Sequence, residues 1–158
     1  MINEKDQYPK NNVTIEKITE ESEDKKEVIT VVNNEYEEKA VKVAIAYMDS
    51  FNSCNGSGCD ELLNFPHIRL AFQGLGIYNK PPMHTPKLFD SFVKTAEWNH
   101  TCWDYRHVIQ SCDSKVHLAI KFSRYRANGT KIGSYSSLWV ITNQKGHWGI
   151  KLRSSFAQ

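Results

Sequence analysis

Histidine is the residue of this sequence best suited to proton transfer near neutral pH. His107 and His117 fall on two segments that we predict to be neighbouring strands, and His100 comes just before the first of them. Imidazoles that converge could share a metal ion or a proton-transfer site. If each lies instead on a half-solvated face of the sheet, it has no such role, and the sequence leaves both alternatives open.

The four cysteines do not have the spacing of a structural metal site. Cys54 and Cys59 are close together in a glycine-rich turn, but Cys102 and Cys112 are ten residues apart. A structural zinc site needs two closely spaced pairs. We therefore expect reduced thiols, no metal and no other cofactor.

Aromatic side chains are frequent in the second half of the chain. Trp98, Trp103, Trp139 and Trp148 can be combined with Phe65 to line a cavity for a flat or apolar ligand. The alternative is that each of them simply fills the core.

Arginine is the residue type here that best fits an anionic ligand. Arg124, Arg126 and Arg153 fall on the last predicted strands, close to several serines. A guanidinium offers two parallel donors to a carboxylate or a phosphate. The alternative is a ladder of side chains on an exposed face or a dimer surface. No glycine-rich phosphate loop, nucleophile elbow or dinucleotide fingerprint occurs, which excludes the common nucleotide-binding and acyl-transfer enzymes.

The hydrophobic pattern predicts helices followed by a run of strands. Apolar residues recur every three or four positions from Tyr36 to Phe51, as on one face of a helix. Pro66 is expected to end a short helix that Asp60 caps. Residues that alternate between apolar and polar, separated by turns such as Asn128-Gly129, predict antiparallel strands. The predicted helices are 35–51, 60–65 and 85–97, and the predicted strands are 67–72, 103–111, 116–123, 132–142 and 147–156. This order predicts an α+β domain with helices packed on one face of a curved sheet.

Charge divides the chain into two unequal parts. The 158 residues carry a net charge of +2, but residues 1–39 hold eleven acidic and six basic side chains. We expect residues 1–34 to form a flexible acidic tail and 35–158 a single domain. No apolar run is long enough to span a membrane, and no signal peptide precedes the domain, so we expect a cytoplasmic protein without membrane contact. Lys and Arg are scattered rather than gathered in one stripe, so we do not expect nucleic acid as a partner.

Several segments carry a resemblance to a known superfamily. They are Ala46-Tyr47-Met48-Asp49-Ser50-Phe51-Asn52, Phe122-Ser123-Arg124-Tyr125, Trp139-Val140-Ile141-Thr142, Gly146-His147-Trp148 and Arg153-Ser154-Ser155-Phe156-Ala157. With the order of elements, they make residues 35–157 similar to the nuclear-transport-factor-2-like superfamily, also called SnoaL-like. The resemblance implies a cone-shaped half-barrel with a hydrophobic pocket at its wide end, and a homodimer formed through the sheet face. It is strongest to a branch without an assigned activity.

Several enzymes of that superfamily use no cofactor, and the resemblance implies roles for particular residues. Tyr47 falls where ketosteroid isomerase has the tyrosine of its oxyanion hole, but no carboxylate stands near His67 where that enzyme has its base. His100 falls near the histidine of the dehydratase and dehydrochlorinase members. Asn52 replaces the aspartate that accompanies it there, and Asp49 lies on the same helix face.

These observations support a protein with a cavity for a small organic ligand, and they leave its enzyme status open. As an enzyme, it would be a lyase, isomerase or cyclase with His100 as general acid or base, Asp49 or Asn52 assisting and Tyr47 donating a hydrogen bond. Otherwise it is a ligand-binding module or a homodimeric interaction module. The expected ligand contacts are Phe65, His67, Arg69, Trp98, Trp103, Arg124 and Trp139.

Overall fold

The computed structural model describes residues 13–14, 28–71 and 74–157. Most of the predicted tail, 1–34, lies outside these residues. The helices are α1 (Glu35–Asn52), α2 (Gly56–Glu61) and α3 (Pro86–Ala96). The strands are β1 (Val13–Thr14), β2 (Val31–Val32), β3 (Leu63–Ala71), β4 (Gly74–Tyr78), β5 (His100–Cys112), β6 (Lys115–Tyr125), β7 (Lys131–Gln144) and β8 (His147–Ser155).

Six of the strands form one curved, open sheet in the order β4-β3-β8-β7-β6-β5. Only β3 and β8 pair in parallel; the other neighbours are antiparallel. Strands β1 and β2 pair separately. Helix α1 packs on the concave face, so the expectation of an α+β half-barrel with helices on a curved, mostly antiparallel sheet is confirmed.

Helix α1 begins where Asn34 supplies an acceptor to its free amides. The Asn34 side chain accepts hydrogen bonds from the backbone N–H groups of Tyr36 and Glu37, each at 3.0 Å. The apolar face of the helix, including Ala40 and Ala44, is buried against the sheet. It meets the fully buried side chains of Leu118, Ile120, Ile141 and Ile150. This packing fixes α1 across the sheet.

The short helix α2 begins earlier than predicted. The side chain of Asn55 caps it by accepting from the N–H of Gly58 at 3.0 Å, and the helix ends at Glu61. The prediction of a helix over 60–65 with Asp60 as its cap was therefore wrong. Asp60 lies in the last turn, and its carboxylate accepts hydrogen bonds from the segment before α3 instead.

Pro66 does not end a secondary-structure element. Strand β3 runs through it, and its pairing with β8 is irregular between Leu63 and Ile68. A proline is tolerated there because its missing N–H removes no ladder hydrogen bond. No helix in the described part of the chain is long and apolar enough to cross a membrane.

Candidate functional site

A small cavity lies between α1 and the concave face of the sheet. The space that the centres of water molecules can occupy is about 50 Å³. One water requires about 10–15 Å³ by this measure, so the cavity suits a ligand of a few heavy atoms. Its lining residues come from α1, β3, β5, β6, β7 and β8, and they are Tyr47, Met48, Phe51, Arg69, Thr101, Phe122, Arg124, Ser137, Trp139, Arg153 and Ser155.

Three of these lining residues are arginines. Arg69 and Arg153 are directly paired across the parallel strands β3 and β8, so their side chains share the concave face. Arg124 reaches the same cavity from β6. Tertiary structure therefore gathers three guanidinium groups from distant parts of the chain around one small space.

The cavity arginines have no acidic partner among the described residues. The ion pairs there involve Lys39, Lys42, His84 and Arg126, and none includes a cavity arginine. Burial, and then the positive charge of Arg153, lower the pKa of Arg69 to about 10. Burial also lowers the pKa of Arg124. Arg69 stays protonated at neutral pH, so the cavity has an uncompensated positive charge.

Aromatic rings hold Arg124 in place of a carboxylate. Its guanidinium lies 4.7 Å from the ring centre of Phe92 and 5.0 Å from that of Tyr135. Its Nε atom is buried without a hydrogen-bond partner. Ring faces attract a cation but do not neutralise it.

Neutral groups hold Arg153. Its Nη1 donates to the hydroxyl of Tyr47, its Nε donates to Nε2 of His67 at 3.2 Å, and its Nη2 contacts the Met83 sulfur at 3.8 Å. None of these acceptors is an anion. The network therefore fixes the direction of the guanidinium without compensating its charge.

His67 can accept from Arg153 because its other ring nitrogen donates elsewhere. Nδ1 lies 2.9 Å from the carbonyl oxygen of Ile150, which accepts its proton and leaves Nε2 with a free lone pair. Burial, and then the charge of Arg153, lower the pKa of His67 to about 3. The ring is neutral at physiological pH and acts as a fixed acceptor behind Arg153.

A second buried histidine connects the cavity to a carboxylate. His84 Nδ1 lies 2.7 Å from Oδ1 of Asp60, and its Nε2 lies 2.7 Å from the hydroxyl of Tyr47. Burial and the charge of Arg153 lower the pKa of His84, against the opposite effect of Asp60. Burial raises the pKa of Tyr47 to about 12. The hydroxyl of Tyr47 thus donates to His84 while its oxygen accepts from Arg153.

Four of the expected catalytic residues and ligand contacts line the cavity, namely Tyr47, Arg69, Arg124 and Trp139. Arg153, one of the three arginines considered for an anionic ligand, lines it as well. His67 contacts Arg153 from behind the lining. Phe65 and Trp103 are partly buried residues packed against the core; the Trp103 ring meets that of Trp139 edge-on, at 5.6 Å between centres.

The predicted general base, His100, does not line the cavity. Its ring stacks on Tyr125 at 5.3 Å, and its Nδ1 hydrogen-bonds the Asn99 side chain at 3.0 Å. Successive residues of a strand face opposite sides, and it is the next residue, Thr101, that lines the cavity. His100 therefore lies on the other face of β5.

The residues expected to assist His100 are also placed elsewhere. Asp49 is exposed on α1. The side-chain amide of Asn52 donates to the carbonyl of Thr101 at 2.9 Å and accepts from its N–H at 2.8 Å. Trp98 donates from its indole to the Thr101 hydroxyl at 2.9 Å. Asn52 and Trp98 thus hold the start of β5 in place through Thr101. The predicted set of His100, Asp49, Asn52 and Tyr47 does not come together at one cavity.

Sequence reasoning missed the Asp60–His84 pair. His84 lies between Pro82 and Pro86, a position without a recognisable pattern, and the sequence predicts only the role of a helix cap for Asp60. No local pattern joins two residues that are separated by the β3–β4 hairpin and a loop. Among the described residues, no group of three or more His, Cys, Asp or Glu side chains could hold a metal ion.

No protein-family model and no curated protein matches the chain. Among solved structures, a protein of unknown function with a cystatin-like fold from Nostoc punctiforme is 12% identical, with a TM-score of 0.63 over 79% of this chain and 93% of that one. An NTF-2-like protein of unknown function from Shewanella oneidensis is 7% identical, with a TM-score of 0.57 over 76% of this chain and 98% of that one. A ketosteroid isomerase-like protein from Erwinia carotovora atroseptica is 14% identical, with a TM-score of 0.56 over 78% and 96%. At these identities the likeness shows the fold alone.

Proposed function

Starting from the nuclear-transport-factor-2-like fold, we propose that this protein binds a small carboxylic acid in its cavity. The observation that carries the proposal is that three arginines line one cavity and have no carboxylate partner among the described residues. A buried charge without a partner is costly, and an anionic ligand would supply the missing charge. A guanidinium matches a carboxylate with two parallel hydrogen bonds.

The rest of the lining favours a ligand with a short apolar part. Phe51, Phe122 and Trp139 supply ring surfaces, and Met48 supplies a flexible thioether. Ser137 cannot donate its hydroxyl proton to a ligand while that proton is donated to the carbonyl of Ser154, at an O···O distance of 2.5 Å. We therefore expect a carboxylate at the guanidinium groups and a short carbon chain against the rings.

Calorimetric titration with butyrate tests this proposal, and butyramide is the matched neutral probe. We expect heat of binding with butyrate and none with butyramide, because only the first carries the charge. Arg69→Met should abolish the signal. Arg126→Met is the control, since Arg126 is partly exposed and already paired with Glu97 at 2.9 Å. Equal binding of the amide, or an equal loss in the control variant, would contradict the proposal.

A second observation favours association of two copies through the outer face of the sheet. Ile77, Ile68, Leu152 and Val140 form one cross-strand row on β4, β3, β8 and β7. The adjacent row consists of Leu75, Leu70, Ser154 and Leu138, whose three leucines are 66%, 46% and 36% exposed. The side chains of these two rows are uncharged, so two copies can pack there without bringing like charges into contact. We propose a homodimer formed through this apolar sheet face.

Sedimentation velocity over a wide range of concentration tests the homodimer. We expect a dimer for the unmodified chain and a monomer for Leu138→Lys, because an isologous interface meets each substitution twice. Val93→Lys places the same charge on an exposed valine of α3 and is the control. A monomer at every concentration would refute the homodimer and leave the carboxylate site untouched.

A further inference from the structure

A buried chain of hydrogen bonds leads from a carboxylate into the cavity. It runs from Asp60 through His84 to the hydroxyl of Tyr47, with both N···O distances at 2.7 Å, and continues to Arg153. Tyr47, His84 and Asp60 are all at least nine-tenths buried. Of these three, Tyr47 lines the cavity. The arrangement connects a potential ligand to an internal proton acceptor.

The hydrogen-bond directions in this chain favour movement of a proton away from the cavity. Asp60 also accepts from the backbone N–H groups of Met83 and His84, which holds it as a hydrogen-bond acceptor. The proton of His84 therefore resides on Nδ1, facing Asp60, and Nε2 is left to accept the proton of Tyr47. A carboxylate in this position stabilises the imidazolium that forms when Nε2 is protonated.

We propose that Tyr47, relayed by His84 and Asp60, transfers a proton to and from a small 2-oxo acid held in the arginine cavity. This inference rests on the proposed carboxylate site and adds an activity to it, the reversible enolisation of the bound acid. The substrate class follows from two requirements. The guanidinium groups need a carboxylate, and the relay needs a C–H bond made acidic by a neighbouring carbonyl.

The step is balanced without any other reactant. The C–H bond next to the substrate carbonyl breaks, and its proton bonds to the oxygen of Tyr47 as the phenolic proton passes to Nε2 of His84. The electron pair moves into the carbonyl oxygen to give an enolate, and His84 becomes an imidazolium paired with Asp60. Return of a proton by the same path restores the acid, and in D₂O the returning nucleus is deuterium.

The surroundings of Tyr47 support this transfer. The Nη1 group of Arg153 donates to the phenolic oxygen, which stabilises negative charge on that oxygen while the two protons move. Arg69 and Arg124 add positive charge near the enolate. Because burial keeps the phenol protonated at neutral pH, Tyr47 has to release its proton to His84 in the same step, and the relay provides that path.

Proton NMR of 2-oxobutyrate in D₂O tests the inference, because exchange removes the signal of its C3 methylene group. We expect the unmodified chain to accelerate exchange over buffer, and Tyr47→Phe to lower that acceleration by about 10²–10⁴-fold. His84→Gln keeps an acceptor for Tyr47 but cannot take up a proton, so it should lose exchange and keep binding. Tyr125→Phe, on the outer face beside His100, is the matched control and should keep full exchange.

The outcomes separate this inference from the carboxylate site. Saturable binding of 2-oxobutyrate without exchange above buffer would overturn the relay and leave the carboxylate site standing. Full exchange in His84→Gln would also overturn it. Failure of both butyrate and 2-oxobutyrate to bind would overturn the carboxylate site itself. Loss of exchange in the two relay variants, with binding kept in His84→Gln, supports the inference.

Discussion

Replacing Arg69 by methionine should stabilise the unliganded protein while removing its affinity for carboxylates. Methionine has a similar length and no charge. Among the described residues, the Arg69 side chain makes no hydrogen bond that the substitution would remove. Burial and the neighbouring Arg153 lower the pKa of Arg69 from 12.5 to about 10. At about 1.4 kcal/mol for each pKa unit, the protonated side chain destabilises the folded state by at most about 3 kcal/mol.

Solvent reduces that figure, because Arg69 is only partly buried. We therefore expect Arg69→Met to raise the free energy of unfolding by about 1–3 kcal/mol, which is similar to the gain found when buried ion pairs are replaced by apolar residues. Urea denaturation at pH 7, followed by tryptophan fluorescence, measures the change. Arg126→Met is the control, since an exposed ion pair contributes about 0–1 kcal/mol.

The same assay with added butyrate separates the two effects of the substitution. At one hundred times its dissociation constant, a ligand that binds only the folded state stabilises it by about 2.7 kcal/mol. The unmodified chain should gain this stability and Arg69→Met should not. If Arg69→Met destabilises the unliganded protein, the guanidinium contributes net favourable contacts, and the description of the cavity as an uncompensated positive site is wrong.

Two further predictions concern stability. Lowering the pH from 7 to 5 should lower the free energy of unfolding by about 2 kcal/mol through His67. In the unfolded chain His67 binds a proton near pH 6.5, whereas in the folded protein it does so only near pH 3. This contribution to stability is complete above pH 6.5 and is lost as the pH falls. His67→Gln should flatten that slope in urea denaturation, and an unchanged slope would exclude His67 as its source. Asn52→Ala should lower stability by about 1–3 kcal/mol, because it leaves the N–H and carbonyl of Thr101 without their partner; a change below about 0.5 kcal/mol in the same assay would contradict this role.

Much of the fold was predictable because it depends on periodic patterns and turns. The apolar spacing that ends at Phe51 predicted α1, and Asn128-Gly129 predicted the turn between β6 and β7. The α2 prediction failed because the local signals competed. Asn55 and Asp60 are both residue types that cap helices. In the structure Asn55 caps α2, and the carboxylate of Asp60 accepts hydrogen bonds from the segment before α3.

Part of the site was predictable from residue type alone. Arg69, Arg124 and Trp139 were expected to contact a ligand and Tyr47 to donate a hydrogen bond to it, and all four line the cavity. Residue type limits where these side chains can lie. On a curved sheet, a large ring or a guanidinium group either lies on the concave face or faces solvent on the other side.

The tertiary structure alone decided which charges and protons meet. Side chains alternate along a strand, so a difference of one residue places Thr101 in the cavity and His100 on the opposite face. The pairing of His84 with Asp60 depends on how α2 and the segment before α3 pack, and no local spacing records it. Local sequence determines the type and period of an element, whereas long-range packing determines the face and the partner of each side chain.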